Sequence, residues 1–276
     1  MFGRAPADRL IENLSKGFAD HSARSGSVTV QSINCGNAAA ASGYERAVRR
    51  TFGRVGVNLL HSTFPDDIDD QTLIEEIRRL NGDTNLHGVL IFEPLPPQLN
   101  ANLVKTCLLP SKDVDCVTPN RLGEFYSGKS PVAPATAAAV MQMLDYYEMP
   151  IEGKRAVVVG RSGVVGKPTA LLMMFRNATV TVCHTRTRSL RAELQRAEII
   201  VAAAGVPGLI TGDHVSEGVV IVDVGTNYSN DRVVGDVDFE AVSPKAKAIT
   251  PVPKGIGPLT TVMLAANLLN LVSSGG

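Results

Sequence analysis

Hydrophobic positions follow a helical period in some stretches and run together as short strands in others. Leu10, Ile11, Leu14 and Phe18 recur at three- and four-residue intervals and predict a helix over 5–20, followed by a strand at 28–33 (VTVQSI). A helix over 42–55 and a short strand at 57–60 come next, before Pro65 and a run of aspartates break the chain. Leu73, Ile74 and Ile77 place a helix over 70–80, and GVLIF at 88–92 reads as a buried strand ended by Pro94, Pro96 and Pro97. After a turn at Pro131–Pro134 the pattern predicts a helix at 136–147, a strand at 155–159, a helix at 165–175 and a strand at 179–183. It continues with a helix at 189–196, strands at 199–204, 219–225 and 248–250, and a last helix over about 258–273. Strands separated by helical segments cannot be joined as hairpins and must pair in parallel. The fold class is therefore α/β, with a doubly wound sheet in the second half. No internal repeat or low-complexity tract interrupts the pattern.

Composition narrows the function classes. The chain of 276 residues has 27 Lys plus Arg against 27 Asp plus Glu, a balance that argues against general nucleic-acid affinity. No apolar run approaches the roughly 20 residues of a membrane helix. The N-terminal MFGRAPADRLIENL turns amphipathic where an export signal needs an apolar core. The four cysteines, Cys35, Cys107, Cys116 and Cys183, form no CxxC pair, so free thiols and a cytoplasmic location are expected. No HxxxH, HExxH or acidic cluster suggests a metal, and no GxSxG elbow is present.

The most informative stretch is Gly160-Arg161-Ser162-Gly163-Val164-Val165-Gly166-Lys167-Pro168, between an all-apolar strand and a helix. Glycines there let the backbone approach a pyrophosphate, and the helix start supplies free N–H groups. Gly160, Arg161, Ser162 and Gly166 are thus candidate cofactor residues. The spacing is not the usual GxGxxG, and a tight turn that binds nothing is the alternative. A second glycine switch at Ala204-Gly205, and Gly225 with Thr226 at the end of a later strand, extend the candidate crevice. Where an acidic residue would read the ribose of NAD, the chain has Cys183-His184-Thr185-Arg186-Thr187-Arg188. Arg161, Thr185, Arg186 and Arg188 suit a 2′-phosphate, so NADP is the expected cofactor unless Arg186 and Arg188 merely face solvent. His184 reads equally as a general base or as a positional residue. Strand-end Asp223 can face a ligand, whereas helix capping accounts equally well for Asp236 or Asp238. Lys112-Asp113-Val114-Asp115 reads as a surface turn or as a polar site. The loop 251–260 serves either structure or a cofactor wall.

The segments KDVDC at 112–116, EGKRAVVVGRSGVVGKPTALLM at 152–173, ATVTVCHTRT at 178–187, VVIVDVG at 219–225, VGDVDF at 234–239 and ITPVPKGIGPLTTVML at 249–264 resemble the methylenetetrahydrofolate dehydrogenase/cyclohydrolase family. The resemblance implies two α/β domains with a cleft between them: a folate domain at 1–138, a Rossmann-type NADP-binding domain at 139–256, and a C-terminal helix at 257–276 returning to the first. It also implies a homodimer formed through the cofactor domains.

In the family a tyrosine is followed four residues later by a lysine on the same helix. Tyr44 matches the tyrosine, and Val48 stands at the lysine position in a register supported by Gly56. The family's VQLPLP is Ile91-Phe92-Glu93-Pro94-Leu95-Pro96 here, so Phe92 replaces a glutamine. In the segment Cys35–Gly43 leading to the tyrosine helix, alanine replaces the usual serine. The resemblance makes Tyr44 and Asp115 the catalytic and substrate-binding candidates, Asp115 holding the pterin ring, with Gly257 and Pro258 as further substrate-binding residues. The expected activity is NADP-dependent oxidation of 5,10-methylenetetrahydrofolate, with the cyclohydrolase step weak or absent. The alternatives are a same-fold dehydrogenase with a changed substrate and a paralogue that binds nucleotide or folate without turnover.

Overall fold

The computed structural model describes residues 1–36, 38–229 and 232–274, the side chains of 38–42 excepted. The chain divides into two compact units, one of Arg9–Ala135 with Thr261–Gly276, the other of Met1–Asp8 with Thr136–Thr260.

The first unit has a parallel three-stranded sheet in the order β2-β1-β3, where β1 is Thr29–Cys35, β2 is Asn58–Phe64 and β3 is Gly88–Ile91. β2 runs further than the hydrophobic pattern predicts. It is an edge strand with half-exposed side chains, so His61, Ser62 and Thr63 stay polar while the backbone pairs with β1 as far as Cys35↔Phe64. Helices α1 (Arg4–Ser25), α2 (Ala38–Arg54) and α3 (Asp70–Gly82) follow the sequence periodicity. Leu73, Ile77 and Leu80 of α3 pack with Ile33, Val89 and Val104 in the core. Two short helices escape the periodicity: α4 (Ala101–Cys107), capped by Asn100, and α5 (Pro119–Tyr126), capped by Thr118. Each spans about two turns and is set by its cap, not by an apolar stripe.

Lys112 is not a surface residue. It is 9% exposed, and its Nζ donates to the carbonyls of Leu80 (2.7 Å), Asn81 (3.0 Å) and Asp83 (2.6 Å), closing the C-terminus of α3. Burial lowers its pKa from the ordinary lysine value, against the opposing charge of Asp83. Asp113 beside it is fully buried and accepts from the N–H groups of Val117 (3.0 Å) and Thr118 (2.8 Å). The turn that carries Asp115 is therefore tied down on both sides.

Helix α6 (Ala135–Tyr146) leads into the second unit, a parallel five-stranded sheet. Its strands are β4 (Arg155–Val159), β5 (Thr179–Cys183), β6 (Ile199–Ala202), β7 (Val220–Asp223) and β10 (Ala248–Ile249), in the order β10-β7-β6-β4-β5. Helices α7 (Gly166–Phe175) and α8 (Leu190–Leu194) follow β4 and β5. After β4 the chain adds β5 on one side and then crosses back to place β6 on the other. The strand order thus reverses at β4/β6, the position where doubly wound sheets bind ligands. Leu194, Ile200, Ile210, Ile221 and Val242 fill the core. A small antiparallel pair, β8 (Asn227–Ser229) with β9 (Arg232–Val234), and helix α9 (Phe239–Val242) were not legible from periodicity. The last helix, α10, is Gly257–Ser273.

Candidate functional site

In the second unit the candidate residues gather at the carboxyl ends of β4, β6 and β7. Gly160 has φ +120°, and a Cβ there would lie 2.0 Å from the Ala203 carbonyl oxygen. Only glycine permits this approach, which joins the loop after β4 to the loop after β6. Gly166 is needed for the same reason, since its Cβ would lie 2.3 Å from the Gly160 carbonyl oxygen. Ser162 is the local cap: its Oγ accepts from the N–H groups of Val165 (3.2 Å) and Gly166 (3.3 Å) at the start of α7. The result is an exposed backbone loop at a helix N-terminus, suited to an anion.

Two buried aspartates hold the neighbouring loops. Asp236, fully buried, accepts through Oδ2 from the N–H groups of Ala204 (2.6 Å) and Gly205 (2.9 Å). Its Oδ1 accepts from Val206 N–H (3.0 Å) and from the Asn227 amide (2.9 Å). Asp223 accepts from the N–H groups of Gly225 (3.0 Å), Asp236 (3.1 Å) and Val237 (3.0 Å). Burial pushes Asp223 up to about 6, the three backbone donors pull it down, and the charge of Asp236 raises it again. Helix capping explains Asp238 alone, which accepts from Ala241 N–H at 3.2 Å. The role of Asp236 was not legible because its partners lie about 30 positions away.

At the end of β5, Thr185, Arg186 and Arg188 are exposed, as is Arg161. His184 shapes the turn: its Nδ1 accepts from Arg186 N–H (3.1 Å) and its own N–H donates to Thr187 Oγ1 (2.9 Å). These contacts favour the positional reading. Thr226 is exposed beside buried Gly225. Gly257 and Pro258 open α10 and belong to this unit, whereas Tyr44 and Asp115 belong to the other.

The first unit has a pocket of about 350 Å³ lined by Asn34, Cys35, Tyr44, Asp66, Phe92, Glu93 and the prolines that follow. Gly36, next to lining residue Cys35, has φ +89°, a left-handed conformation that favours glycine. Asn37 and the side chains of 38–42, including the alanines that precede Tyr44, lie outside the described residues. Tyr44 is 40% exposed overall and packs edge-on against Phe92 at 5.6 Å between ring centroids. Desolvation of its hydroxyl end, then the charge of Asp115, hold its pKa above the ordinary phenol value. One turn along α2, Val48 is fully buried, and Phe92 is 6% exposed. The positions where the family resemblance implies a lysine and a glutamine are thus both apolar and buried, Phe92 against the pocket.

Asp115 accepts from Ala135 N–H at 3.2 Å. Burial pushes its pKa up to about 7; the Ala135 N–H and Lys105 pull it down, and Asp113 and Glu93 push it up. Burial also pushes the Cys35 thiol up to about 11, so it is no thiolate nucleophile at neutral pH.

Two further groups escaped the sequence reading. Lys105 of α4 forms an ion pair with Glu93 on the pocket wall. His61 of β2 lies at ring distance 6.4 Å from Phe92. It hydrogen-bonds Ser32 Oγ through Nδ1 (2.9 Å) and Thr63 Oγ1 through Nε2 (2.9 Å), with Glu45 at 3.4 Å. This network ties the turn of α2 that carries Tyr44 to the sheet edge. Neither group has sequence spacing that would announce it. Among the described residues no His/Cys/Asp/Glu cluster is arranged to hold a metal ion, and no helix is long and apolar enough to cross a membrane.

With this geometry in hand, comparison with known proteins is specific. Residues 134–275 match the model for the tetrahydrofolate dehydrogenase/cyclohydrolase NAD(P)-binding domain, and residues 1–115 match the catalytic domain of the same family. The bifunctional protein FolD of Dictyoglomus turgidum is 40% identical over 270 residues, covering 98% of this chain and 96% of its own. The crystal structure of the bifunctional enzyme FolD, methylenetetrahydrofolate dehydrogenase/cyclohydrolase, from Campylobacter jejuni has a TM-score of 0.95 at 35% identity, covering 99% of this chain and 97% of its own. The Trypanosoma brucei N5,N10-methylenetetrahydrofolate dehydrogenase-cyclohydrolase, complexed with NADP cofactor and inhibitor, also has a TM-score of 0.95, at 33% identity and the same coverage.

Proposed function

The chain belongs to the tetrahydrofolate dehydrogenase/cyclohydrolase family, and from that premise we propose that it is an NADP-dependent dehydrogenase oxidising 5,10-methylenetetrahydrofolate to 5,10-methenyltetrahydrofolate, with the cyclohydrolase step weak or absent. The observation that carries this reading is an uneven set of residues: Tyr44, and Asp115 whose charge acts on it, remain, while buried Val48 and Phe92 stand where proton-handling groups would be required.

Bound NADP supplies the hydride acceptor. The chain's own residues fit that cofactor. The Gly160–Gly166 loop offers backbone N–H groups to the pyrophosphate, and Asp236 fixes the 204–206 loop beside it. Exposed Arg161, Thr185, Arg186 and Arg188 supply charge and a hydroxyl for a 2′-phosphate. Asp115, as the carboxylate, accepts N–H groups of the pterin ring, and Tyr44 stays protonated and bounds the pocket by its edge-on contact with Phe92. Hydride transfer asks little more than correct placement of the substrate carbon. Hydrolysis of the methenyl product needs a group that moves a proton, and neither a valine nor a phenylalanine can do so. Tyr44, with its pKa raised, is no base at neutral pH.

A second copy of the chain is the expected partner. The free edge of β5, with exposed Thr179, Thr181 and Val182 beside exposed Met174 and Phe175, supports a homodimer through this unit. The four free cysteines support a reducing, cytoplasmic setting.

The test is NADP reduction with methylenetetrahydrofolate, followed by absorbance of the methenyl product. NADPH formation with persistent methenyl absorbance is expected. Enzyme-accelerated loss of that absorbance would refute the missing second step. A changed substrate is the second reading, favoured by Glu93, a charged group where the family has leucine. Absence of NADP reduction with any folate substrate would bring it forward.

A further inference from the structure

The pocket of the first unit contains a buried amide that the reading above leaves unused. Asn34, on the central strand β1, is 5% exposed and lines the cavity beside Tyr44, Phe92 and Glu93. Among the described residues its Nδ2 has no hydrogen-bond partner. Three other side-chain amides of the unit that are buried or half-buried are satisfied. Gln31 donates to the Ser32 carbonyl and Ser62 Oγ, Asn81 to the Cys107 carbonyl, and Asn267 to the carbonyls of Val114 and Ala133. An orphaned buried amide destabilises a fold relative to a leucine of similar size, so packing does not account for it.

Position 34 is also next to the position that has lost its amide. Phe92 N–H donates to the carbonyl of Ile33 at 2.9 Å, which sets Phe92 beside the Ile33–Asn34 segment of β1, and both side chains line the same cavity. A pocket that resembles the family's except for a missing glutamine at 92 therefore has a carboxamide one strand away. The other polar lining groups are the Asp66 and Glu93 carboxylates and the Tyr44 hydroxyl. An anionic ligand group would face those carboxylates, so the acceptor suited to Asn34 is a neutral one.

We propose that Asn34 contacts substrate directly, its amide donating a hydrogen bond to a ring carbonyl oxygen of the ligand, and that this residue sets preference for an oxo-substituted over an amino-substituted ring. The ligand class is a lactam-edged heterocycle, whose N–H groups suit carboxylates and whose C=O suits the amide. The inference deepens the folate reading and rests on it, since the pterin ring of tetrahydrofolate has such an edge.

The experiment measures binding of tetrahydrofolate, of its analogue with a 4-amino group in place of the 4-oxo group, and of NADP. It uses the full-length protein, Asn34→Leu and Asn34→Asp, with unfolding midpoints recorded for all three. Asn34→Leu is expected to weaken tetrahydrofolate binding about tenfold or more, to leave NADP binding unchanged, and not to lower the midpoint of the free protein. Asn34→Asp, which is isosteric and can only accept, is expected to shift preference toward the 4-amino analogue. Retained tetrahydrofolate affinity in Asn34→Leu would overturn the assignment and leave the folate reading standing. Equal loss of NADP and folate binding with a lowered midpoint, and no reversal of preference in Asn34→Asp, would make Asn34 structural and also overturn it. Failure of the native protein to bind tetrahydrofolate at all would instead remove the folate reading, and this inference with it.

Discussion

Asp236→Asn changes one oxygen into an NH₂ and almost nothing in size. In the native protein the carboxylate accepts four hydrogen bonds, from Ala204, Gly205 and Val206 N–H and the Asn227 amide. Whichever way the new amide turns, one end keeps its two donors and the other sets an NH₂ against two donors. Each lost bond to a charged group contributes about 1.5–3 kcal/mol, so about 3–6 kcal/mol is at stake. The lower end is the better expectation, because Gly205 is exposed and water can reach part of the loop. Asp236 takes the N–H groups of three consecutive loop residues, so the loop should open before the sheet does and the loss should fall first on what the loop binds. About 3 kcal/mol corresponds to a roughly hundredfold weaker NADP affinity. Fluorescence titration with NADP, titration with tetrahydrofolate, and urea unfolding should be run on the same preparations. The expected pattern is a large NADP effect, a modest fall in the urea midpoint, and unchanged tetrahydrofolate affinity. An unchanged NADP affinity would refute the placing of this loop at the cofactor; equal losses for both ligands would point to general unfolding.

Arg161→Ala should weaken NADP by about 1.5–3 kcal/mol and spare NAD; equal losses in parallel titrations would sink the 2′-phosphate assignment. Because Asp115 is pushed up to about 7, the carboxylate proposed to accept pterin N–H groups is lost as pH falls through that value. Tetrahydrofolate affinity should then fall by up to about tenfold per pH unit below neutrality, and Asp115→Asn should flatten the profile. The same shift has the opposite sign for stability: the folded state binds the proton more tightly than the unfolded one. The contribution is complete below the ordinary carboxylate value near 3.8 and disappears as pH rises toward 7, which urea midpoints at pH 5 and pH 8 for the native protein and Asp115→Asn would reveal. Val48→Lys with Phe92→Gln should restore part of the methenyl hydrolysis and either change alone little of it, measured by stopped-flow absorbance. The lone Val48→Lys should also lower the unfolding midpoint, since the site is fully buried.

What could be read in the sequence was whatever local pattern decides. The parallel sheets follow from apolar strands such as RAVVV and IIVAAA alternating with helical periodicity, and the glycines at 160 and 166 announced a close backbone approach that the structure explains by the Ala203 and Gly160 carbonyls. Short capped helices such as Ala101–Cys107 were not legible, because a single Asn100 contact sets them. Nor were long-range side-chain ties. Lys112 reaching Leu80 and Asp236 reaching Ala204 join positions about 30 residues apart, and no periodicity encodes such a pair. Lys105 and Glu93 are 12 positions apart in the sequence, and only the fold brings them together. Edge strand β2 was under-read because half its side chains face outward and need not be apolar.

The Lys112 ammonium makes the last turn of α3 and the turn bearing Asp115 a single cooperative unit. Three carbonyls at the end of α3 are bound by a side chain only three positions before the carboxylate. Fraying of that helix end must withdraw the ammonium's partners and loosen Asp115 with them, so amide exchange in the two turns should be correlated and share one opening free energy. A ligand held by Asp115 should slow exchange at Leu80 to Asp83 without touching them. Conversely, a substitution on α3 that merely frays its C-terminal turn should cost substrate affinity at a distance.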